Sequence, residues 1–123
     1  MTKTLVIPGR FPSLNEVLDV AKTHWTKYRD LKLQLTDSVD LTARSQKLHR
    51  FKGKVRVDFY WYEENQRRDV DNIRHGAKYI LDGLVQGGFI QGDSQKYVVG
   101  LRDEFFVDKD SPRVEVAITE MIG

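Results

Sequence analysis

The chain has 123 residues, of which 40% are hydrophobic and 31% are charged. This length fits a modest core, so we expect a single domain over residues 1–123. The absence of cysteine excludes disulfides, thiolate nucleophiles and cysteine-ligated zinc. No apolar run approaches the roughly 20 residues that span a membrane, and the start lacks the apolar core of a signal peptide, so we expect a cytoplasmic protein. The net charge of only +2 produces no global field that would indicate a nucleic-acid partner.

The first part of the chain predicts a strand and a long helical stretch. Residues 3–9, KTLVIPG, are typical of a short strand that a Pro-Gly pair ends. Ser13, with Glu16 three residues later, predicts a capping box at the start of a helix. Helical spacing of apolar residues continues over 14–46, and the polar stretch 23–26 is where it would divide into two helices.

Trp25 and Tyr28 of the first helical stretch are predicted to pack in the core.

The middle of the chain predicts a strand followed by a second helix. Residues 54–63, KVRVDFYWYE, alternate between apolar and polar, which is typical of a strand with one buried face. After a polar link, helical spacing extends from Asn72 to about Gln86, where a pair of glycines ends it.

The last third of the chain predicts two strands, at 96–107 and 113–121. The turn sequence DKDSP at 108–112 predicts that these strands form a hairpin. The element order is then β-α-β-α-β-β. It indicates an α+β fold with a small mixed, largely antiparallel sheet and helices packed on one side.

An acidic motif, RRDVDN at 67–72, follows the alternating strand. In an extended segment Asp69 and Asp71 would point to the same side, and adjacent carboxylates favour a cation between them. Oxygen ligands of this kind suit Mg²⁺ or Mn²⁺. In the alternative interpretation, Asp71 is the N-cap of the following helix and Asp69 is a solvated neighbour.

Two further charged residues are candidates for the same site. The helix carries the chain away by roughly 22 Å, and residues 87–93 can span about 23 Å when extended, so Asp93 can return beside the acidic pair. Lys78 lies two helical turns after Asp71, on the same face, where it could contact a scissile phosphate. The alternative for Lys78 is an i,i+4 ion pair with Asp82.

Basic residues cluster at 44–56, where six lysines and arginines occur without an acidic residue. The run predicts either a solvated face or a stripe that binds phosphates. The candidate DNA-binding residues are Arg44, Lys47, Arg50, Lys52, Lys54, Arg56, Arg67, Arg68, Arg74 and Lys96.

These motifs together resemble the RusA family of Holliday junction resolvases, crossover junction endodeoxyribonucleases common in prophages. The pieces that carry the resemblance are PSLN at 12–15, RRDVDNI at 67–73, Lys78, DGL at 82–84, GDSQ at 92–95 and the closing RVEVAITEM at 113–121. The likeness is weak over about 20–50. Gly92 stands where the family has a first acidic residue, and the segment between Asn72 and Lys78 is longer than in the family's best-known member.

The resemblance implies a homodimeric, Mg²⁺-dependent endonuclease, also supported by Mn²⁺, without an organic cofactor. It would resolve four-way DNA junctions by paired symmetric nicks during DNA recombination and repair, in the cytoplasm of a bacterial or phage-infected cell. Asp69, Asp71 and Asp93 match the family's catalytic, metal-binding carboxylates, and Lys78 matches its catalytic lysine. Two alternatives stay open: a metal nuclease acting on flaps or forks, and a non-catalytic DNA-binding module of the same fold.

Overall fold

The computed structural model describes residues 1–122, which form four strands and four helices. In chain order they are β1 (Thr2–Pro8), α1 (Leu14–Thr23), α2 (Trp25–Ser45), β2 (Val55–Glu63), α3 (Val70–Arg74), α4 (Ala77–Gln86), β3 (Val98–Val107) and β4 (Arg113–Glu120). The predicted order β-α-β-α-β-β is confirmed, with each predicted helical stretch divided in two. Among these helices none combines the length and the apolar character needed to span a lipid bilayer.

The strands form one mixed sheet in the order β1–β4–β2–β3. β4 is antiparallel to both of its neighbours, whereas β2 and β3 run parallel. Two of the three strand pairs are thus antiparallel. The predicted α+β class with a largely antiparallel sheet is confirmed.

The predicted hairpin of the last two strands is wrong, because β2 lies between β3 and β4. The turn at 108–112 carries the chain across the end of β2, where Asp108 N donates to Glu63 O at 2.7 Å. Arg113 Nη1 holds the Asp108 carboxylate at 2.8 Å on the far side of the turn. The turn residues correctly indicate that the chain reverses, but a reversal is equally compatible with a third strand between the two.

The hydrophobic core lies on one face of the sheet. The alternation predicted for the central strand is confirmed, since Val55, Val57, Phe59 and Trp61 of β2 are all buried. α2 and α4 cover this face and contribute residues to the same core. The helices therefore pack on one side of the sheet, as expected.

The first helical stretch divides where the sequence predicts. The capping box at its start is present: Glu16 N donates to Ser13 Oγ at 3.1 Å, and Ser13 N donates to Glu16 Oε1 at 3.4 Å. His24 is extended, with φ −146° and ψ 100°, and separates α1 from α2.

The prediction that Trp25 belongs to the core is wrong, because its side chain is 68% exposed. Tyr28 is half-buried, and the two ring centroids lie 5.6 Å apart. Trp25 is the first residue of α2, and the buried residues of that helix, such as Val39 and Ala43, lie in its second half. Helical spacing alone does not indicate which turns of a long helix reach the sheet.

α2 and α4 approach each other closely at Gly83. A Cβ atom at this position would lie 2.6 Å from Val39 Cβ and 2.8 Å from Thr36 O. Because one of these contacts is to the backbone, turning a side chain cannot relieve it. The close helix packing therefore requires glycine.

We expect Gly83→Ala to destabilise the protein even though alanine is the better helix former. The helix preference favours alanine by about 1 kcal/mol, but overpacking a close contact typically costs about 1–3 kcal/mol. Chemical denaturation should show a net loss of stability on the order of 1 kcal/mol. Gly53→Ala is the matched control, since a Cβ there meets nothing within 4 Å. An increase in stability for Gly83→Ala would contradict the close approach.

Candidate functional site

The acidic pair lies in the first turn of α3, beyond the carboxyl end of β2. Asp69 is the N-cap residue, with extended backbone, yet its side chain makes no capping hydrogen bond. Asp71 lies within the helix, so the interpretation of Asp71 as the N-cap is wrong. Both residues are exposed, and neither takes part in an ion pair of residues 1–122.

The helical position of Asp71 also changes the argument for a shared orientation. The expectation that Asp69 and Asp71 point to one side assumed an extended backbone, whereas α3 begins at Val70. Residues two apart on a helix do not face each other in the way that alternate strand residues do. Asp69 and Asp71 are therefore two solvated carboxylates at the start of one helix, and the N-cap residue Asp69 makes no capping hydrogen bond.

The acidic segment is held against the start of α1. Arg68 Nη1 donates to Phe11 O at 2.9 Å, and Asn15 N donates to Asn72 Oδ1 at 3.2 Å. Ile73 is buried beneath the segment. The motif PSLN near the amino terminus and the motif RRDVDNI therefore meet in space, with the Asn72 side chain as one of the links between them.

Arg68 and Arg67 have different surroundings. The Arg68 side chain is only 14% exposed, and its Nε lies 3.1 Å from Glu63 Oε1 on a side chain that is 6% exposed. This Nε has no hydrogen-bond partner of good geometry, so the pair is held by charge rather than by a directed bond. Arg10 approaches Glu63 more distantly, at 3.8 Å. Arg67, in contrast, is exposed.

Lys78 lies in the first turn of α4 and is exposed. The backbone stays helical through His75 and Gly76, but its hydrogen bonds tighten to the i→i−3 pattern, as in Lys78 N to His75 O at 3.2 Å. Lys78 Nζ lies 3.7 Å from Asp82 Oδ2. The ion pair of the alternative interpretation is therefore present, although an exposed pair of this kind is weak.

A neutral pair of side chains lies behind this part of the helix. His75 Nε2 and Tyr79 Oη are 3.0 Å apart. Burial lowers the pKa of His75, and the charge of Lys78 lowers it further, while burial, with smaller effects of Tyr28 and Asp82, raises the pKa of Tyr79 to about 12. Both groups are uncharged at neutral pH. The unfolded chain binds a proton at His75 more readily than the folded chain does. The free energy of unfolding therefore decreases as the pH falls below the ordinary histidine pKa.

Asp93 lies towards the opposite end of the sheet from the acidic pair. The stretch 87–97 runs beside the start of β2, with Phe51 N donating to Phe89 O and Val55 N donating to Tyr97 O, both at 2.8 Å. The nine residues of β2 extend about 26 Å between this region and the end near α3. The stretch 87–97 thus leads the chain from α4 to the start of β3.

Asp93 shares a surface cavity between α2 and α4 with a second carboxylate, Asp82, and with Lys32. Sequence reasoning considered Asp82 only as a partner of Lys78, and no spacing rule places it near Asp93. Within residues 1–122, no three carboxylate or imidazole side chains lie close enough to hold one metal ion. The described chain brings Asp69 and Asp71 to one helix start and does not add Asp93 to them.

Gly92, which replaces an acidic residue of the family motif, has a structural explanation. A Cβ at Gly92 would lie 2.9 Å from Tyr97 Cδ2. The ring of Tyr97 therefore occupies the space that a larger residue would need. An accessory carboxylate at this position would require the Tyr97 ring to move from its place in this chain.

The candidate DNA-binding residues fall into two groups. Six have an acidic or aromatic partner in the described chain: Arg44, Arg50, Arg56, Arg68, Arg74 and Lys96. The others are exposed and form no ion pair among residues 1–122: Lys47, Lys52, Lys54 and Arg67. The second group would bind a phosphate without breaking an existing ion pair. Lys52 and Lys54 lie just before the start of β2, Lys47 follows Gln46 beside the outer edge of β1, and Arg67 lies near the acidic pair.

Comparison with known proteins assigns this arrangement to a class. Residues 15–119 match the model of the family described as endodeoxyribonuclease RusA, so the acidic helix start belongs to a fold of DNA-cleaving enzymes. The chain belongs to the RusA family, as its motifs predicted. No curated protein sequence matches the chain.

We expect Arg68→Ala to destabilise the fold, because it leaves the buried carboxylate of Glu63 with only the distant Arg10. Removing one partner of a buried pair typically costs about 3 kcal/mol or more. Urea denaturation measures the loss. The neighbouring change Arg67→Ala is the control, and it should alter stability by less than about 0.5 kcal/mol because Arg67 is exposed. Equal effects of the two changes would show that the Glu63 pair has no structural importance.

Proposed function

We propose that this protein is a Mg²⁺-dependent endonuclease, with Mn²⁺ as an alternative metal, that resolves four-way DNA junctions by paired symmetric nicks in recombination and repair. The observation that carries the proposal is that Asp69 and Asp71 are both exposed, and that Asp69 makes no capping hydrogen bond, in a chain of an endodeoxyribonuclease family. The family supplies the class of reaction. The acidic pair supplies the donor chemistry.

The acidic pair fits magnesium by the nature of its atoms. Mg²⁺ at phosphate-processing sites takes one or two carboxylates and completes its coordination with water and substrate phosphate oxygens. Asp69 and Asp71 are solvated and not committed to ion pairs, so they can fill that role without breaking existing contacts. A bound Mg²⁺ supplies Lewis-acid activation and charge neutralisation at the phosphodiester. Asp93 remains a proposed third carboxylate on the strength of its motif alone.

The remaining roles follow from charge and exposure. Lys78, in the first turn of α4, would stabilise the negative charge that develops on the phosphate. The exposed basic residues Arg67, Lys47, Lys52 and Lys54 would hold the DNA backbone, which gives salt-dependent and largely sequence-independent binding. Two symmetric nicks require two sites related as the two halves of the junction are related, so we propose a homodimer.

Asp71→Asn should abolish Mg²⁺-dependent cleavage of a synthetic four-way junction while leaving junction binding intact or tighter. The change removes a metal ligand and also removes negative charge that faces phosphate. Gel-based cleavage and binding in Ca²⁺ measure the two effects separately. Asp30→Asn, an exposed aspartate on α2, is the control and should cleave normally.

The same assay distinguishes the alternatives. Cleavage by Asp71→Asn at the wild-type rate would overturn the assignment of the acidic pair. A wild-type protein that binds the junction but never cleaves it would be a non-catalytic DNA-binding module. Faster cleavage of flaps or forks than of four-way junctions would identify a nuclease for other branched DNA.

Lys78→Ala should lower the single-turnover cleavage rate at saturating enzyme by on the order of 10²–10³-fold, with little loss of binding. Its present partner provides the matched control. If Lys78 acts on the phosphate, Asp82→Asn leaves the lysine in place and cleavage continues. If Lys78 matters only through its ion pair with Asp82, both changes should have the same effect, and the catalytic role would be overturned.

A further inference from the structure

The two outer strands of the sheet differ in how their open edges are covered. On β1, Gln46 takes the place of a neighbouring strand: its Nε2 donates to Val6 O at 2.6 Å, and Val6 N donates to its Oε1 at 3.1 Å. β3 pairs with β2 on one side and has no second strand beside it in the described chain. The open edge of the sheet therefore lies at β3.

The charged residues of β3 are confined to its centre, at Arg102, Asp103 and Glu104, and they are the main protection of this open edge. The strand contains no proline and no lysine, and the one irregularity in its pairing lies at its start. Its apolar side chains are exposed: Leu101 by 49%, Phe105 by 38% and Val107 by 50%. Val70 of α3, 55% exposed, lines a cavity together with Phe105 and Val107. An edge of this composition is normally covered by a partner, because otherwise it promotes aggregation.

The pattern of β3 is complementary to itself. Two identical strands that pair antiparallel are related by a two-fold axis perpendicular to the sheet, so each face of one copy continues into the same face of the other. Side chains alternate between faces, so the axis must pass at a single residue, which then stands opposite its own copy. The choice of that residue fixes every other facing pair.

An axis at Asp103 matches both faces. Arg102 then stands opposite Glu104 of the second copy, and Leu101 stands opposite Phe105. If the axis moves to Arg102 or to Glu104, that residue faces its own like charge, which is destabilising. In those two registers Leu101 or Phe105 also faces Asp103. Among the registers with the axis at Arg102, Asp103 or Glu104, the one at Asp103 alone pairs Arg102 with Glu104 and Leu101 with Phe105, although it places Asp103 opposite its own copy.

The two central carboxylates are already neutralised. Asp103 Oδ1 accepts a hydrogen bond from Trp61 Nε1 at 2.7 Å, and its Oδ2 accepts one from Arg74 Nε at 3.0 Å. Each copy of Asp103 therefore arrives with its own guanidinium partner. The contact across the axis is between two ion pairs rather than between two bare charges.

We propose that β3 pairs antiparallel with β3 of a second copy about a two-fold axis at Asp103, which joins the two four-stranded sheets into one. This interface rests on the proposed function, which includes a homodimer, and adds the surface through which the two copies associate. Assembly is measured without DNA or metal, so its failure is distinguishable from a failure of the nuclease proposal.

The test is a charge exchange read by light scattering. Arg102→Glu and Glu104→Arg each place like charges opposite one another twice in the dimer. Two such reversals should weaken dimerisation by roughly 30-fold or more. The double variant Arg102→Glu/Glu104→Arg restores opposite charges and should restore the dimer. An equimolar mixture of the two single variants should form a heterodimer, because every facing pair is then complementary.

The rescue also excludes an indirect effect. Arg102 lies 3.9 Å from Asp58, which has Arg56 as a nearer partner at 3.4 Å. The double variant does not restore the contact between Arg102 and Asp58, so recovery of the dimer can come only from the pairing across the axis. Thermal unfolding of each variant checks that the monomer is folded. A monomeric wild-type protein, single variants that dimerise normally, or a mixture that fails to associate would each overturn the proposal.

Discussion

Parallel neighbours in a sheet cannot be joined by a tight turn, and β2 and β3 are parallel neighbours. The chain must therefore return from the carboxyl end of β2 to the amino end of β3, about 26 Å away for a strand of this length. α3 and α4 make that return on the core side of the sheet. The acidic motif that opens the crossover and the motif that closes it consequently lie towards opposite ends of the same sheet, and the separation of Asp69 and Asp71 from Asp93 is a result of topology.

The strand that the crossover leads to, β3, is an outer strand of the sheet. β4 carries buried residues along most of its length, such as Val114, Val116 and Ile118, so it lies between two other strands. β3 exposes nearly all of its residues after Val98 and has strand contacts on one side alone. Its most buried charged group, Asp103, is the one that links β3 to α3 through Arg74. An ion pair thus links the edge strand to the helix that begins at the acidic pair.

The sequence predicted the features that depend on local spacing. The capping box at Ser13, the alternation of β2 and the division near His24 all follow from residues close together in the chain, and the family follows from a set of short motifs, each of which is local. The features that it missed depend on contacts between distant segments. Arg68 is the more enclosed of the two arginines in the motif because it contacts Glu63 and the Phe11 carbonyl, and neither its own type nor its neighbours in the sequence reveal this. The exposure of Trp25 likewise depends on how far α2 extends past the sheet.

In the proposed dimer, the edge strand would bring basic residues of one copy towards the acidic pair of the other. In one chain the exposed Lys52 and Lys54 lie near the amino end of β2, whereas Asp69 and Asp71 lie beyond its carboxyl end. Antiparallel pairing of two β3 strands sets the carboxyl end of one beside the amino end of the other. The acidic pair of one copy and Lys52 and Lys54 of the other would then lie at the same end of the joined sheet. A chain with a net charge of only +2 would in this way present carboxylates beside concentrated positive charge, which is the combination that a metal-dependent enzyme acting on a polyanion requires.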